Sequence, residues 1–178
     1  MYAKNVTPTP HEILFYQQTD DYFNSIKLRT EYRARNLKNQ AGESQTDDLA
    51  LSEDENDAFL ILLKSAVYDV AKVALKMTRG VTNGIYYDKT ITYTPVSPLS
   101  IEVTNANGFN IVDNKAYNTN SLNYVDVKAI ECINYHIMRG WYRMVGLDEE
   151  IKKFEGMYNI AKAELINGLF DLRKPLLS

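Results

Sequence analysis

Residues 130–145 read IECINYHIMRGWYRMV, and this stretch decides the fold more than any other part of the chain. Its apolar side chains recur at helical spacing on two adjacent stripes. One stripe holds Ile130, Ile133, Ile137, Trp141 and Met144, and the other holds Cys132, Tyr135, Met138, Tyr142 and Val145. A helix that is apolar on two faces must be covered on more than one side. The stretch therefore predicts a central helix from about residue 124 to 145 that ends at Gly146.

Three further helices are predicted around this one. A short link leads to a helix that begins near Asp148, so residues 124–172 form an antiparallel helical hairpin. Residues 9–12 and 52–55 both have the pattern of a capping box, which marks the start of a helix. We therefore expect a first helix over 9–38, with an alternative break near residue 19, and a second helix over 53–79.

Residues 81–122 have the pattern of a β insertion followed by a loop. Apolar and polar residues alternate over 85–93 and again over 99–103, which is the period of a strand. The asparagine-rich segment 105–123 is predicted to be a loop, with a short strand at 109–112 as an alternative. The predicted fold is mainly α: a single domain over 1–178, a bundle of about four helices with a β-hairpin or small β-sheet insertion between the second and third helices, and a tail at 173–178.

Composition limits the functional classes. The net charge is −3, which gives no general reason to expect nucleic-acid binding. One cysteine excludes an intrachain disulfide and favours a reducing compartment. Residues 1–12 lack the apolar segment of a signal peptide, and no apolar run is long enough to span a bilayer. We expect a soluble protein, made in a cytosol, with no membrane partner.

The sequence offers little for catalysis, so we expect no enzyme, no cofactor and no metal site. Neither histidine follows a glutamate by three residues, the spacing that di-iron helical bundles need. Glu131 and His136 are five residues apart and point in different directions on a helix. Cys132 lies in an apolar stripe, where a packed, inert thiol is favoured. An unrecognised site at Cys132 and His136 remains the enzymatic alternative.

Aromatic and charged residues give the candidate contact surfaces. Tyrosine is abundant, 13 residues against 6 Phe, and its polar-tipped ring suits interfaces and cores equally. The candidate subunit-interface residues are Tyr86, Tyr87, Ile91, Tyr93, Tyr135, Trp141 and Tyr142. A basic segment, 27–38, precedes an acidic one, 43–57, and such blocks can pair head to tail between copies. The candidates for this pairing are Arg29, Arg33, Arg35, Lys38, Asp47, Asp48, Glu53 and Asp54. A solvated helical face, or DNA binding by 27–38 in a small regulatory protein, are the alternatives for the basic segment.

The order of elements, the run Tyr135–Tyr142 with its Trp141-Tyr142 pair, and the ending Arg173-Lys174-Pro175 together resemble a known family. They are similar to head–tail connector proteins of tailed bacteriophages, and in particular to neck-ring proteins of crAss-like phages. The resemblance covers residues 124–178 and the general layout. The apolar Leu176-Leu177-Ser178 departs from the strongly basic ending of that pattern.

The resemblance implies a virion structural protein. Copies would form a dodecameric ring that joins the portal protein to the tail, extends the DNA channel and contacts other neck or tail ring proteins. Packaged DNA would pass through without sequence-specific binding. The tail residues Arg173, Lys174, Pro175, Leu176 and Leu177 would dock on a neighbouring ring, and the β insertion would become ordered on assembly.

Overall fold

Four long helices dominate the computed structural model, which describes residues 4–5, 12–38, 42–43, 49–77, 84–93, 101–112 and 117–173. The helices are α1 (Thr19–Asn36), α2 (Asn56–Met77), α3 (Leu122–Met144) and α4 (Asp148–Leu172). The protein is mainly helical with a small antiparallel sheet, as its sequence predicts. None of the described helices is apolar over a stretch long enough to cross a bilayer.

The first predicted helix is wrong at its start. Residues Glu12–Gln18 form a strand, and α1 begins only at Thr19, the position of the alternative break. The apolar run at 13–16 is too short for its period to separate a strand from a helix. A partner strand decides the outcome, because every residue of Glu12–Gln18 is paired in register with residues 106–112.

The sheet has four strands in the order β1-β2-β4-β3, and all neighbours are antiparallel. The strands are β1 (Lys4–Asn5), β2 (Glu12–Gln18), β3 (Ile85–Tyr93) and β4 (Ile101–Val112). Along the chain, strands β3 and β4 come between the second and third helices, as predicted. The prediction of a loop is wrong for 105–108, and the alternative of a strand at 109–112 is confirmed, since β4 runs to Val112 and pairs with β2 over 106–112.

Irregular pairing between β3 and β4 changes which side chains face the helices. The register shifts on either side of Lys89, and both Asp88 and Asn105 have positive φ angles, 49° and 51°. Before the shift, Ile85 contacts the main core; after it, Ile91 contacts a small cluster that also holds buried residues of β2. A β-bulge has this effect because one extra residue reverses the alternation.

One core joins the sheet to all four helices. It contains Ile13 and Phe15 of β2, Phe109 and Ile111 of β4, and buried side chains of α1, α2, α3 and α4. The rings of Phe15 and Phe109 stack with centroids 5.0 Å apart. Strands β2 and β4 thus supply buried side chains to the core of the folded chain, and whether assembly orders the β insertion further stays a prediction.

The predicted helix ends at Ser52 and Gly146 are confirmed. Ser52 and Glu55 form a capping box on a 3₁₀ turn, Glu53–Glu55, which leads into α2. Gly146 has a φ of 76°, a conformation that favours glycine. It follows the last turn of α3, and the N–H of Leu147 donates to the Tyr142 carbonyl oxygen at 2.9 Å.

Candidate interaction groove

The tyrosines of the β strands make contacts within the chain. Tyr86 is buried, and its hydroxyl donates to the Phe15 carbonyl oxygen at 2.8 Å. The Tyr87 hydroxyl donates to the Lys64 carbonyl oxygen of α2 at 3.2 Å. Ile91 is partly buried in the small cluster on the outer face of the sheet. These candidate interface residues therefore hold the sheet together and tie it to a helix.

The aromatic residues of α3 are also core residues. Trp141 is buried, and its indole N–H donates to the Leu49 carbonyl oxygen at 2.9 Å. Tyr142 is buried with its ring stacked on Phe154 at 5.5 Å between centroids. Tyr135 is partly buried, 6.1 Å from the same Phe154 ring. The doubly apolar face of α3 is thus covered by α4 and by the segment around Leu49.

Three of the eight charged candidates, Arg33, Arg35 and Glu53, form ion pairs within the described chain. Three cations of the basic segment contact carboxylates: Lys27 with Glu53 at 3.5 Å, Arg35 with Glu31 at 3.8 Å, and Arg33 with the buried Glu150. Arg29 makes no ion pair with any residue that the structure describes, and Lys38 and Asp54 are exposed. Because three of its positive charges are matched, the basic segment is a weaker surface for DNA than its sequence indicates.

The C-terminal candidates are described only at their first residue. The Arg173 guanidinium donates to the Met77 carbonyl oxygen at the end of α2 and lies 5.9 Å from the Phe170 ring centroid. Arg173 therefore links the C-terminal end of α4 to the C-terminal end of α2. Lys174, Pro175, Leu176 and Leu177 lie outside the described residues, as do Asp47, Asp48 and the side chain of Tyr93.

A groove of about 720 Å³ runs between α1 and the α3–α4 hairpin. Its α1 wall carries Leu28 and Tyr32, which are 69% and 73% exposed. Its other wall is formed by Met138, Tyr142, Phe154 and Met157. Two methionines and three aromatic rings give the groove an adaptable apolar surface. We define these residues, with the charged side chains described next, as the α1 groove.

Charges lie at the rim and floor of the α1 groove. Arg29, Arg33 and Lys153 supply three cations, and Glu150 supplies one carboxylate, which leaves a positive balance. Glu150 contacts both Arg33 and, at 3.5 Å, Lys153. The Nε of Arg33 is buried and has no hydrogen-bond partner within the described part of the chain. A ligand with an apolar side chain and a nearby carboxylate would match this surface.

Burial raises the pKa of the Tyr142 hydroxyl to about 12, with the Glu150 carboxylate acting in the same direction. The hydroxyl therefore stays protonated at neutral pH and can donate a hydrogen bond. It has no hydrogen-bond partner among the described residues. Like the Arg33 Nε, this hydroxyl is enclosed by protein atoms beneath the groove.

Leu28 and Tyr32 were missed by reasoning from the sequence. Their spacing of four residues puts them on one face of a helix, and that signal was available. It was obscured because the helix was expected to begin at residue 9, which mixed strand residues into its apolar pattern.

Two other outward faces carry large apolar side chains. On α2, Ile61 and Tyr68 are 70% and 48% exposed. On α4, Ile160 and Phe170 are 64% and 48% exposed. Single exposed apolar residues are common, but Ile61 and Tyr68, seven residues apart, share one face of α2, while Ile160 and Phe170 mark two separate positions on α4.

A serine, a histidine and an aspartate lie close together between α2 and α3. This cluster was not predicted from the sequence. His136 Nε2 lies 3.4 Å from Ser65 Oγ, and His136 Nδ1 lies 3.5 Å from Asp69 Oδ2. Ser65 lies inside α2, where backbone N–H groups are used by the helix and cannot form an oxyanion hole. The cluster is better suited to holding α2 against α3 than to acyl transfer.

Cys132 is placed as a core residue. It is buried, and burial raises the pKa of its thiol to about 12. A thiol in that state is not a nucleophile at neutral pH. Within the described residues, no group of three or more His, Cys, Asp or Glu side chains is placed to hold a metal ion.

Comparison of the chain with protein-family models, with curated proteins and with solved structures finds no match in any of the three.

Proposed function

We propose that this protein is a non-enzymatic virion structural protein, a ring-forming subunit of the neck that joins the portal to the tail of a phage particle. The ring would extend the channel through which DNA passes without sequence-specific binding. The proposal combines the resemblance of residues 124–178 to head–tail connector proteins with the surfaces of the folded chain.

The observation that carries the proposal is the presence of distinct uncovered apolar surfaces on separate helices. A subunit inside a ring contacts its two neighbours through two different patches, and it contacts the rings above and below through others. The α1 groove and the outward faces of α2 and α4 supply surfaces of this kind. Their residues differ in charge and shape, as heterologous contacts require.

The test is reconstitution with the portal protein of the same phage and its adjacent tail proteins. We expect mass photometry to show a large ring-containing species in which this chain is present in many copies. Tyr32→Glu should abolish its incorporation, because a charge replaces an exposed apolar side chain of the α1 groove.

Lys152→Glu is the matched control, since Lys152 is exposed and does not line the groove. Circular dichroism of both variants should match that of the wild type. A chain that stays monomeric with the portal and tail proteins present would refute the proposed function.

A further inference from the structure

We infer that the α1 groove receives the outward face of α2 from a second copy of this chain, so that copies join head to tail. The inference rests on the proposed function in so far as such a contact would build the ring. It identifies the partner of the groove from the chemistry of both surfaces.

The outward face of α2 is complementary to the groove, because it has a protruding apolar side chain and negative charges. Asp57 and Ile61 are four residues apart and therefore lie on one side of the helix, with Asp54 just before them. Ile61 is 70% exposed, and both aspartates are exposed. Neither aspartate forms an ion pair with a residue that the structure describes. This end of α2 therefore offers an apolar side chain with carboxylates on its N-terminal side, while the exposed Lys64 lies on its C-terminal side.

The α1 groove offers the complement. Its apolar walls can take Ile61, and Arg29, which lies at the rim without an ion pair among the described residues, can meet Asp57. Arg33 and Lys153 are already in contact with Glu150 but add to the positive balance. Opposite charges around an apolar centre fix the register of a contact as well as favouring it.

The two surfaces are different, so the contact is heterologous. Each copy that gives its α2 face to one neighbour keeps its own groove free for the next, and repetition closes into a ring when the rotation permits. The area buried by one helix face in one groove is small compared with that of a standard protein–protein interface. We therefore expect weak pairing of two isolated copies and stronger association where many contacts act together.

The test is disulfide trapping between two variants that each gain one surface cysteine. Leu28→Cys chains are mixed with Ile61→Cys chains that carry a tag, at about 1 mM each, which would populate about 40% of a contact with a dissociation constant near 1 mM. After mild oxidation, we expect the mixed dimer to exceed the share that random pairing gives. The native Cys132 can stay, because it is buried.

The matched control replaces Ile61→Cys by Ile160→Cys. Ile160 is similarly exposed, at 64%, but lies on α4 outside the proposed contact. Its mixture with Leu28→Cys should give random pairing. Equal yields of mixed dimer in the two mixtures would overturn the inference.

Charge reversal provides the second arm. Arg29→Glu in the Leu28→Cys chain, or Asp57→Arg in the Ile61→Cys chain, should lower the mixed-dimer yield about fivefold, and combining the two should restore it. A double reversal no better than either single one would overturn the pairing of Arg29 with Asp57. If trapping is random but the chain still enters portal assemblies, this inference fails and the proposed function stands. Trapped mixed dimers from a chain that never enters portal assemblies would support the inference and refute the proposed function.

Discussion

At Gly108 the backbone of the neighbouring strand leaves no room for a side chain. A Cβ atom added there would lie 1.9 Å from the Phe15 carbonyl oxygen and 2.8 Å from the Tyr16 Cα, both backbone atoms of the neighbouring strand. Gly108 is paired with Tyr16 on one side and with Tyr86 on the other. Neither neighbour can move without breaking the register of β4.

We expect Gly108→Ala to lower the free energy of unfolding by about 3 kcal/mol or more, the upper range for overpacking. Urea denaturation followed by circular dichroism measures it. Gly156→Ala is the matched control, because no atom lies within 4 Å of its added Cβ in the interior of α4. That variant should be more stable by about 0.5–1 kcal/mol. Similar effects of the two substitutions would show that the close approach at Gly108 is wrong.

Trp141 joins the segment around residue 49 to α3 through its side chain. The indole N–H is the donor to the Leu49 carbonyl oxygen, and the ring is buried. We expect Trp141→Phe to cost about 1–3 kcal/mol, from the lost hydrogen bond and the smaller ring. Chemical denaturation of the variant gives the value.

Tyr32→Phe is the control for this substitution, since Tyr32 is 73% exposed. It should leave the unfolding midpoint unchanged. An unchanged midpoint for Trp141→Phe would contradict the buried hydrogen bond.

Among the elements, α2, α3 and α4 meet at His136. Its ring lies between Ser65 and Asp69 of α2 and packs edge-on against Tyr158 of α4, 5.7 Å between centroids. Burial lowers the pKa of His136, and the Arg139 guanidinium lowers it further, against an opposing effect of Asp69. The folded protein therefore favours the neutral imidazole.

This pKa shift predicts that stability falls on acidification. The unfolded chain takes up a proton near the ordinary histidine pKa of 6.5, whereas the folded chain takes it up only at lower pH. The free energy of unfolding should therefore decrease as the pH falls below about 6.5, until the pH reaches the folded-state pKa. His136→Gln should flatten this part of the profile, measured by urea denaturation across pH.

The reference for this slope is the wild-type protein measured over the same pH range. The same slope in His136→Gln and in the wild type would show that His136 does not carry the pH dependence.

At the scale of the whole molecule, the sheet and the helices share one core. Phe109 and Ile111 of β4 lie in the same buried cluster as Ile133 and Ile137 of α3. Elements that bury their side chains against one another lose that burial together when either opens. The β strands are therefore not an independent appendage of the helical bundle.

We expect the sheet and the helices to unfold in one cooperative step. Native-state hydrogen exchange should give the amides of Phe109 and Ile111 the same opening free energy as those of Ile133 and Ile137. The matched comparison is the exposed first turn of α2 around Asp57, whose amides should open locally with a lower opening free energy. A lower opening free energy for β4 than for α3 would show that the sheet detaches while the helices stay folded.

Residues with strong local signals could be located from the sequence. The capping box at Ser52, the glycine stop at Gly146 and the stripes of α3 depend on residues within one or two turns of one another. The alternation over 85–93 likewise predicted a strand, which is confirmed. The side on which its residues lie was not predictable, because the bulge near Lys89 arises only when β3 pairs with β4.

The sequence by itself determined the local elements: four amphipathic helices, a β region between the second and third, and the apolar character of α3. Tertiary structure alone decided the rest. Residues 12–18 became a strand because residues 106–112 of β4, far along the chain, offered them a partner. The aromatic residues Trp141 and Tyr142 became core while Leu28 and Tyr32 stayed exposed, since burial depends on which helix faces lie opposite each other. Local patterns specify which side chains are apolar enough to favour burial. Only the packing of distant segments determines which of them are buried.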